Sequence, residues 1–177
     1  MNDRIEIQLS KKKITLLLVA GITFVIIGYF GALKPENFVS LIFSNKEIIR
    51  ISGIAAICFF GIGSIFIIRK LFDNKPGLII DKHGITDNSN MTSVGLVEWA
   101  DIKRIEKKQV ASTQFLIIYT NKPKKYLERA KNFLSKKAML ANQKMYSSPL
   151  SITSNSLKIN IEDLEILLNQ EFERNSK

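Results

Sequence analysis

The chain has 177 residues, with 26 Lys and Arg against 16 Asp and Glu, for a formal net charge of +10. That length suits one domain of ordinary size, with a strongly basic surface. A single cysteine and a single histidine exclude an internal disulfide and leave no companions for a zinc-type ligand set.

Charge is distributed unevenly. Residues 1–68 contain two uncharged apolar runs, while 19 of the basic and 12 of the acidic residues lie from Arg69 onward. At the N-terminus, Ile5, Ile7 and Leu9 alternate with polar neighbours, the pattern of a short strand. Lys11, Lys12 and Lys13 then abut the run Ile14 to Leu33. Twenty helical residues reach about 30 Å, the hydrocarbon thickness of a bilayer. A cleaved signal peptide is the second reading of this run. The run exceeds the usual signal core of about 7–15 residues, and Gly28, Gly31 and Ala32 form no convincing cleavage site, so an uncleaved span is favoured.

Pro35 ends the first helix, and Glu36-Asn37 suit a turn. Phe38 to Phe43 is apolar enough to lie at an interface. Ile51 to Ile68 is the second uncharged run and stops at Arg69-Lys70. Small residues (Gly28 and Ala32 in the first run; Gly53, Ala56, Gly61, Gly63 and Ser64 in the second) would let two helices approach closely. They are also simply common in membrane helices. Cys58 is expected to pack. Apart from Tyr29 and Cys58 neither run holds an ionisable side chain, which argues against an ion or proton pathway. Positive charge is retained on the cytoplasmic side, and two spans return the chain to the side it left. The expectation is a multi-pass protein of the cytoplasmic (inner) membrane with both termini cytoplasmic. Its segments are 1–13 (N-terminal cytosolic), 14–33 (first span), 34–50 (external loop), 51–68 (second span), 69–76 (linker) and 77–177 (cytosolic domain).

The domain opens with a hairpin whose turn is Lys82-His83-Gly84, with Gly84 supplying a positive φ and His83 facing solvent. Ser93 to Trp99 reads as a strand, with Trp99 a core anchor at its end; Lys103 to Val110 and Gln114 to Thr120 are two more. From Pro123 the period changes to helical. Tyr126, Ala130, Phe133, Leu134, Ala138, Ala141 and Met145 mark one apolar face of a single basic helix ending at Tyr146. Leu150 to Thr153 is a last short strand. Asn160 starts a closing helix, with Asp163 placed as a capping-box acid and Ile161, Leu164, Leu167, Leu168 and Phe172 facing inward. Residues from Arg174 are expected to fray. About six short strands, one inserted basic helix and a terminal helix predict an α+β module, a small antiparallel sandwich or barrel; a seventh strand is not resolved.

Several stretches carry a resemblance. Lys75-Pro76-Gly77-Leu78, Asp81-Lys82-His83-Gly84-Ile85, Asp87-Asn88-Ser89, Val94-Gly95-Leu96-Val97-Glu98-Trp99 and Lys144-Met145-Tyr146-Ser147-Ser148-Pro149 resemble a family of small uncharacterised bacterial membrane proteins. Its members have two N-terminal spans and a cytosolic tail. The resemblance covers essentially the whole chain. The step Val97-Glu98-Trp99-Ala100-Asp101-Ile102 followed by a strand is similar to a piece of bacterial pleckstrin-homology-like domains. The resemblance implies a pleckstrin-homology-like fold after a two-helix transmembrane hairpin, and no activity or catalytic residues to carry over. Headgroup-binding domains of that class use basic residues around a long first hairpin loop; here the turn is Lys82-His83-Gly84, which argues against a phosphoinositide pocket.

Between Lys103 and Lys144 lie twelve Lys and Arg and only two acids. Lys103, Arg104, Lys107, Lys108, Lys124, Lys125, Arg129, Lys131, Lys136, Lys137 and Lys144 are the candidate surface for a membrane or partner. Near an anionic leaflet each such charge contributes about 1 kcal/mol. A merely solvated face is an equal reading. Nucleic acid is not expected, because few aromatics interleave the belt as stacking platforms. Asp81, Asp87, Glu98, Asp101 and Tyr119 are the polar candidates for chemistry, but no catalytic triad, phosphate loop, metal cluster or cofactor site is legible. The expected function is a non-catalytic, membrane-anchored binding or scaffold module facing the leaflet or a protein partner. The alternative is an accessory subunit of a larger membrane complex.

Overall fold

The computed structural model describes residues 4–39, 45–110 and 113–175. The chain divides into two compact units. Residues 11–73 form one, and residues before 11 join those from 74 onward in the other.

The first unit is a pair of long helices, α1 (Lys11–Leu33) and α2 (Lys46–Leu71), of 23 and 26 residues. They reach about 35 and 39 Å at the helical rise. Both are long and apolar enough to cross a membrane. Each extends past the uncharged run, because Lys, Glu and Arg at the flanks are good helix formers. Pro35 opens a 3-10 turn over Pro35–Phe38. Of the apolar stretch from Phe38 to Phe43, residues 40–43 lie outside the described residues.

Asn45 caps α2, its Oδ1 accepting from the amides of Glu47 (2.9 Å) and Ile48 (3.4 Å). At the other end the Lys11 ammonium donates to the carbonyls of Leu71 and Asp73. A cation thereby satisfies the Leu71 carbonyl, in the last turn of α2, together with that of Asp73 just beyond the helix.

The helices run antiparallel along a seam. Phe24 stacks on Phe60 at 4.5 Å between centroids. A Cβ on Gly53 would stand 2.6 Å from the Gly28 carbonyl oxygen and 2.7 Å from the Ala32 nitrogen. Glycine is needed there for backbone to meet backbone. Gly61 and Gly63 have nothing within 4 Å of a built Cβ, so they lie off the seam. Cys58 is exposed on α2 and does not pack as expected.

The second unit is an antiparallel β-sheet and helix domain. Strands β1 (Ile5–Ile7), β2 (Leu78–Asp81), β3 (Gly84–Asp87) and β4 (Gly95–Glu98) form a four-stranded sheet in that order. Strands β5 (Ile102–Val110), β6 (Thr113–Thr120) and β7 (Leu150–Ile152) form a second sheet of three. The unresolved seventh strand of the sequence reading is β1, supplied from before α1. Ile5 pairs with Ile80 and Ile7 with Leu78. Residues 4–10 thus belong with the unit that the sequence reading begins at 77, because the outer edge of β2 has backbone groups to pair.

Gly84 has φ 153°, and a Cβ there would stand 2.0 Å from the Val97 carbonyl oxygen. The turn between β2 and β3 is held by the Asp81 carboxylate, which accepts from the His83 amide at 2.8 Å. His83 is exposed. In β2 the core takes alternate positions, Leu78 and Ile80, whereas β6 buries the consecutive run Leu116, Ile117 and Ile118; Ile85 of β3 is buried with them. Trp99 is buried too, its indole N–H donating to the Asp81 carbonyl at 2.8 Å.

Between β6 and β7 the structure departs from a single helix. There are two, α3 (Pro123–Glu128) and α4 (Phe133–Tyr146). Asn132 breaks them apart, its side chain accepting from the Ser135 amide at 2.8 Å as the cap of α4. Ser147, in the left-handed region at φ 60°, ends α4. The expected apolar face is also corrected. Tyr126 and Met139 are buried, whereas Phe133, Leu134, Ala141 and Met145 are exposed.

The closing helix α5 (Ile161–Asn175) starts as expected. Asn160 and Asp163 form a reciprocal cap with bonds of 2.7 and 2.8 Å. Ile161, Leu164 and Leu168 are buried, and Phe172 stands 6.3 Å from Trp99. Arg174 and Asn175 are helical and bonded to Glu171 at 2.8 Å each, and residues 176 and 177 of the expected frayed end lie outside the described residues.

Candidate functional site

The basic belt separates into two sets. Arg104 pairs with Glu106 (2.7 Å) and lies over the Tyr119 ring at 3.9 Å; Lys108 shares Glu106 at 3.1 Å. Lys107 reaches Glu165 on α5 at 2.7 Å. Lys125 bridges Glu98 (2.8 Å) and Asp101 (2.6 Å). Arg129 donates to the Leu96 carbonyl at 2.8 Å, with Glu98 at 3.6 Å. These five belt residues are compensated within the fold. Lys103, Lys124, Lys131, Lys136, Lys137 and Lys144 have no ion pair among the described residues.

One of the compensated residues, Lys125, joins Lys122 at a buried carboxylate. Asp101, at the end of the 3-10 turn Trp99–Asp101, is fully buried. Lys122 lies 2.7 Å from one oxygen; Lys125 (2.6 Å) and the Tyr126 hydroxyl (2.8 Å) reach the other. The Tyr126 hydroxyl also accepts from the Glu98 amide at 3.2 Å. Pro123 starts α3 and sets its first turn against that 3-10 turn, bringing Lys122, Lys125 and Tyr126 to one carboxylate. Burial pushes the Asp101 carboxyl up, but the bonds from Lys122, Lys125 and Tyr126 outweigh it and hold it well below the usual range. Burial, then Asp101, push the Tyr126 phenol up to about 12. The Lys125 hydrogen bond lowers Glu98. Asp101 therefore stays ionised and Tyr126 protonated across the neutral range. The cluster is a brace, with no proton poised for transfer at neutral pH.

The other polar candidates also have structural work. Asp87 is buried at the end of β3; it accepts from the Ser89 amide (2.8 Å) and the Ser93 hydroxyl (2.5 Å), tying down the loop before β4. Burial raises its carboxyl above the ordinary value against those bonds. Asp81 caps the first turn, and Tyr119 lies under Arg104. Among the described residues no group of three or more His, Cys, Asp or Glu could hold a metal ion.

Three of the six uncompensated residues lie on α4. Lys136, Lys137 and Lys144 are exposed on the same helix as Phe133, Leu134, Leu140 and Met145, of which Phe133 is 69% and Met145 64% exposed. Lys137 stands 4.9 Å over the Phe133 ring. Only Ser135 and Met139 of this helix are buried. Positions 133, 137, 140 and 144 make one stripe and 134, 141 and 145 the next. Apolar and cationic side chains therefore alternate on one outward surface.

In the helical unit an apolar groove of about 270 Å³ runs beside the Gly28–Gly53 crossing, lined by Phe24, Ile27, Phe38, Ile48 and Ile49 among others. Ser52 is its only polar side chain, so it offers shape and no chemistry. No protein-family model, curated protein or solved structure matches the chain.

Proposed function

We propose that the chain is a membrane-anchored, non-catalytic binding module. In this reading α1 and α2 cross a bacterial inner membrane as a hairpin, and the sheet unit is a pleckstrin-homology-like fold held at the cytoplasmic face with both termini. The observation that carries it is the β1–β2 pairing, Ile5 with Ile80 and Ile7 with Leu78. Backbone pairs cannot form across a bilayer, so the chain before α1 and the chain after α2 lie on one side. Two helices of bilayer length between those strands fit that constraint. Their apolar side chains support it further: Leu16, Val19, Phe30, Ile51 and Phe59 are among many left exposed, a surface that suits hydrocarbon and not water. Binding is favoured over catalysis because the buried carboxylates and phenol serve as braces and turn caps.

Topology mapping tests this. In a Cys58→Ser background, single cysteines at Glu36 and at Lys82 are labelled in intact cells with a membrane-impermeant maleimide. Labelling of the Glu36 position from outside, and of the Lys82 position only after permeabilisation, is expected. Equal labelling of both in intact cells, or release of the protein by alkaline carbonate, would overturn the reading.

A further inference from the structure

We propose that the outward face of α4 is a docking surface for an anionic lipid bilayer. The inference rests on the anchor reading and names the partner of the sheet unit. Its basis is the pairing of two features that one surface seldom combines. Phe133, Leu134, Leu140 and Met145 are all exposed, and Lys136, Lys137 and Lys144 stand among them with no ion pair among the described residues. Glu98, Asp101, Glu106 and Glu165 pair with Arg104, Lys107, Lys108, Lys122 and Lys125; of the belt lysines with no ion pair among the described residues, Lys136, Lys137 and Lys144 are the ones that share α4 with those apolar side chains.

A free anion would satisfy the lysines and leave the apolar side chains in water. A second copy in a symmetric pair would set like charges against each other. The surface of an anionic leaflet offers phosphate beside acyl chain, which is what such a face complements. Lysine stems can lie along the apolar surface while their ammonium groups stay at the phosphate level. The tethers are short as well. The chain leaves the sheet unit at residue 10 and enters α1 at Lys11; only residues 72 and 73 separate the end of α2 from the return at residue 74. If the helices span, so short a connection keeps the sheet unit at the leaflet surface.

The experiment uses the full chain in lipid nanodiscs, with Cys58→Ser and a nitroxide at Ala141→Cys, an exposed position on the same face. Collision with oxygen against collision with a water-soluble nickel chelate reports immersion. Immersion is expected in discs of phosphatidylcholine mixed with phosphatidylglycerol, and an aqueous label in phosphatidylcholine alone. Neutralising Lys136, Lys137 and Lys144 to Gln should lower the docked-to-free ratio about a hundredfold and return the label to water. A second nitroxide, at Ile26→Cys in the middle of α1, reports the hairpin itself. If that label is immersed and the Ala141 label is aqueous in both lipids, the docking inference is overturned and the anchor stands. Equal immersion in both lipids, indifferent to the triple substitution, also overturns it. An aqueous Ile26 label would overturn the anchor reading and the docking inference with it.

Discussion

Asp101→Ala is the most informative single change in the sheet unit. The carboxylate is fully buried and receives Lys122, Lys125 and the buried Tyr126 hydroxyl within 2.8 Å. Its removal leaves the Tyr126 proton without an acceptor inside the protein, a cost of about 1–3 kcal/mol. Stripping one partner from a buried ionic cluster costs about 3–5 kcal/mol. Lys122 is more than half exposed and Lys125 retains Glu98, so both lysines find other company and the lower end applies. The expected loss is about 2–4 kcal/mol. Trp99, two residues away and the only tryptophan, reports unfolding of this unit by its fluorescence in urea. Tyr126→Phe alone should cost about 1 kcal/mol, and the double variant about 1 kcal/mol less than the sum, because the orphaned donor is gone. A loss below about 0.5 kcal/mol for Asp101→Ala, or an additive cycle, would refute the brace. The pH dependence has a definite sign. Asp101 is depressed, so its contribution is present above the unfolded value of about 4 and lost as pH falls through the folded value. Tyr126 is raised to about 12, so its contribution is present below about 10 and lost as pH climbs through 12. The brace is at full strength between those limits.

Gly53→Ala should loosen the helical unit, since its Cβ would meet backbone at 2.6 and 2.7 Å, while Gly61→Ala, with open space around it, should be neutral or stabilising; thermal melting in detergent separates the two. Ile7→Asp puts a charge at a buried strand position and should detach β1, read as faster amide exchange along β2 with little change in β6. Trp99→Phe removes the 2.8 Å bond to the Asp81 carbonyl and should cost about 1 kcal/mol in urea. Asp87 is raised by burial, so its contribution is present below the unfolded value and lost as pH rises through the folded one; Asp87→Asn should flatten that part of the stability profile above about pH 4.

Local signals were legible where neighbours in sequence decide the structure. The two apolar runs, the Lys82-His83-Gly84 turn, the Asn160–Asp163 cap and the strand Thr113–Thr120 are of that kind. Two things were not legible. The spacing of Tyr126, Phe133, Leu134, Ala141 and Met145 marks a helical face but carries no statement of which side it meets. Asn132 restarts the helix and shifts the buried side to Ser135 and Met139. The belt was likewise visible as a count of charges, but its division was not. Glu98, Asp101 and Glu165 come from other elements, 21 to 58 residues away from the lysines they meet. The short spacing of Lys122, Lys125 and Tyr126 around Pro123, opposite a Glu98-to-Asp101 turn, was the one available signal for the brace.

The position of β1 ties the two units into a single folding problem. Ile5 and Ile80 are sheet neighbours, yet the whole of α1 and α2 lies between them. For the four-stranded sheet the helical pair is therefore a loop joining adjacent strands. Closing such a loop as an open chain costs entropy that grows with its length. The antiparallel hairpin reduces that cost by bringing residues 11 and 71 together, which the Lys11 bonds to the Leu71 and Asp73 carbonyls secure. The seam around Gly28 and Gly53 then acts on the sheet as well as on the helices. A variant that splays the helices should weaken β1 pairing although it touches no strand, so Gly53→Ala is expected to raise amide exchange at Ile79 and Ile80 along with its effect on the helices. Unchanged exchange there would mean that β1 holds by its own strand contacts and by the Ser10–Ser156 and Gly77–Ile7 backbone bonds of 2.8 and 2.9 Å, with the hairpin free to open.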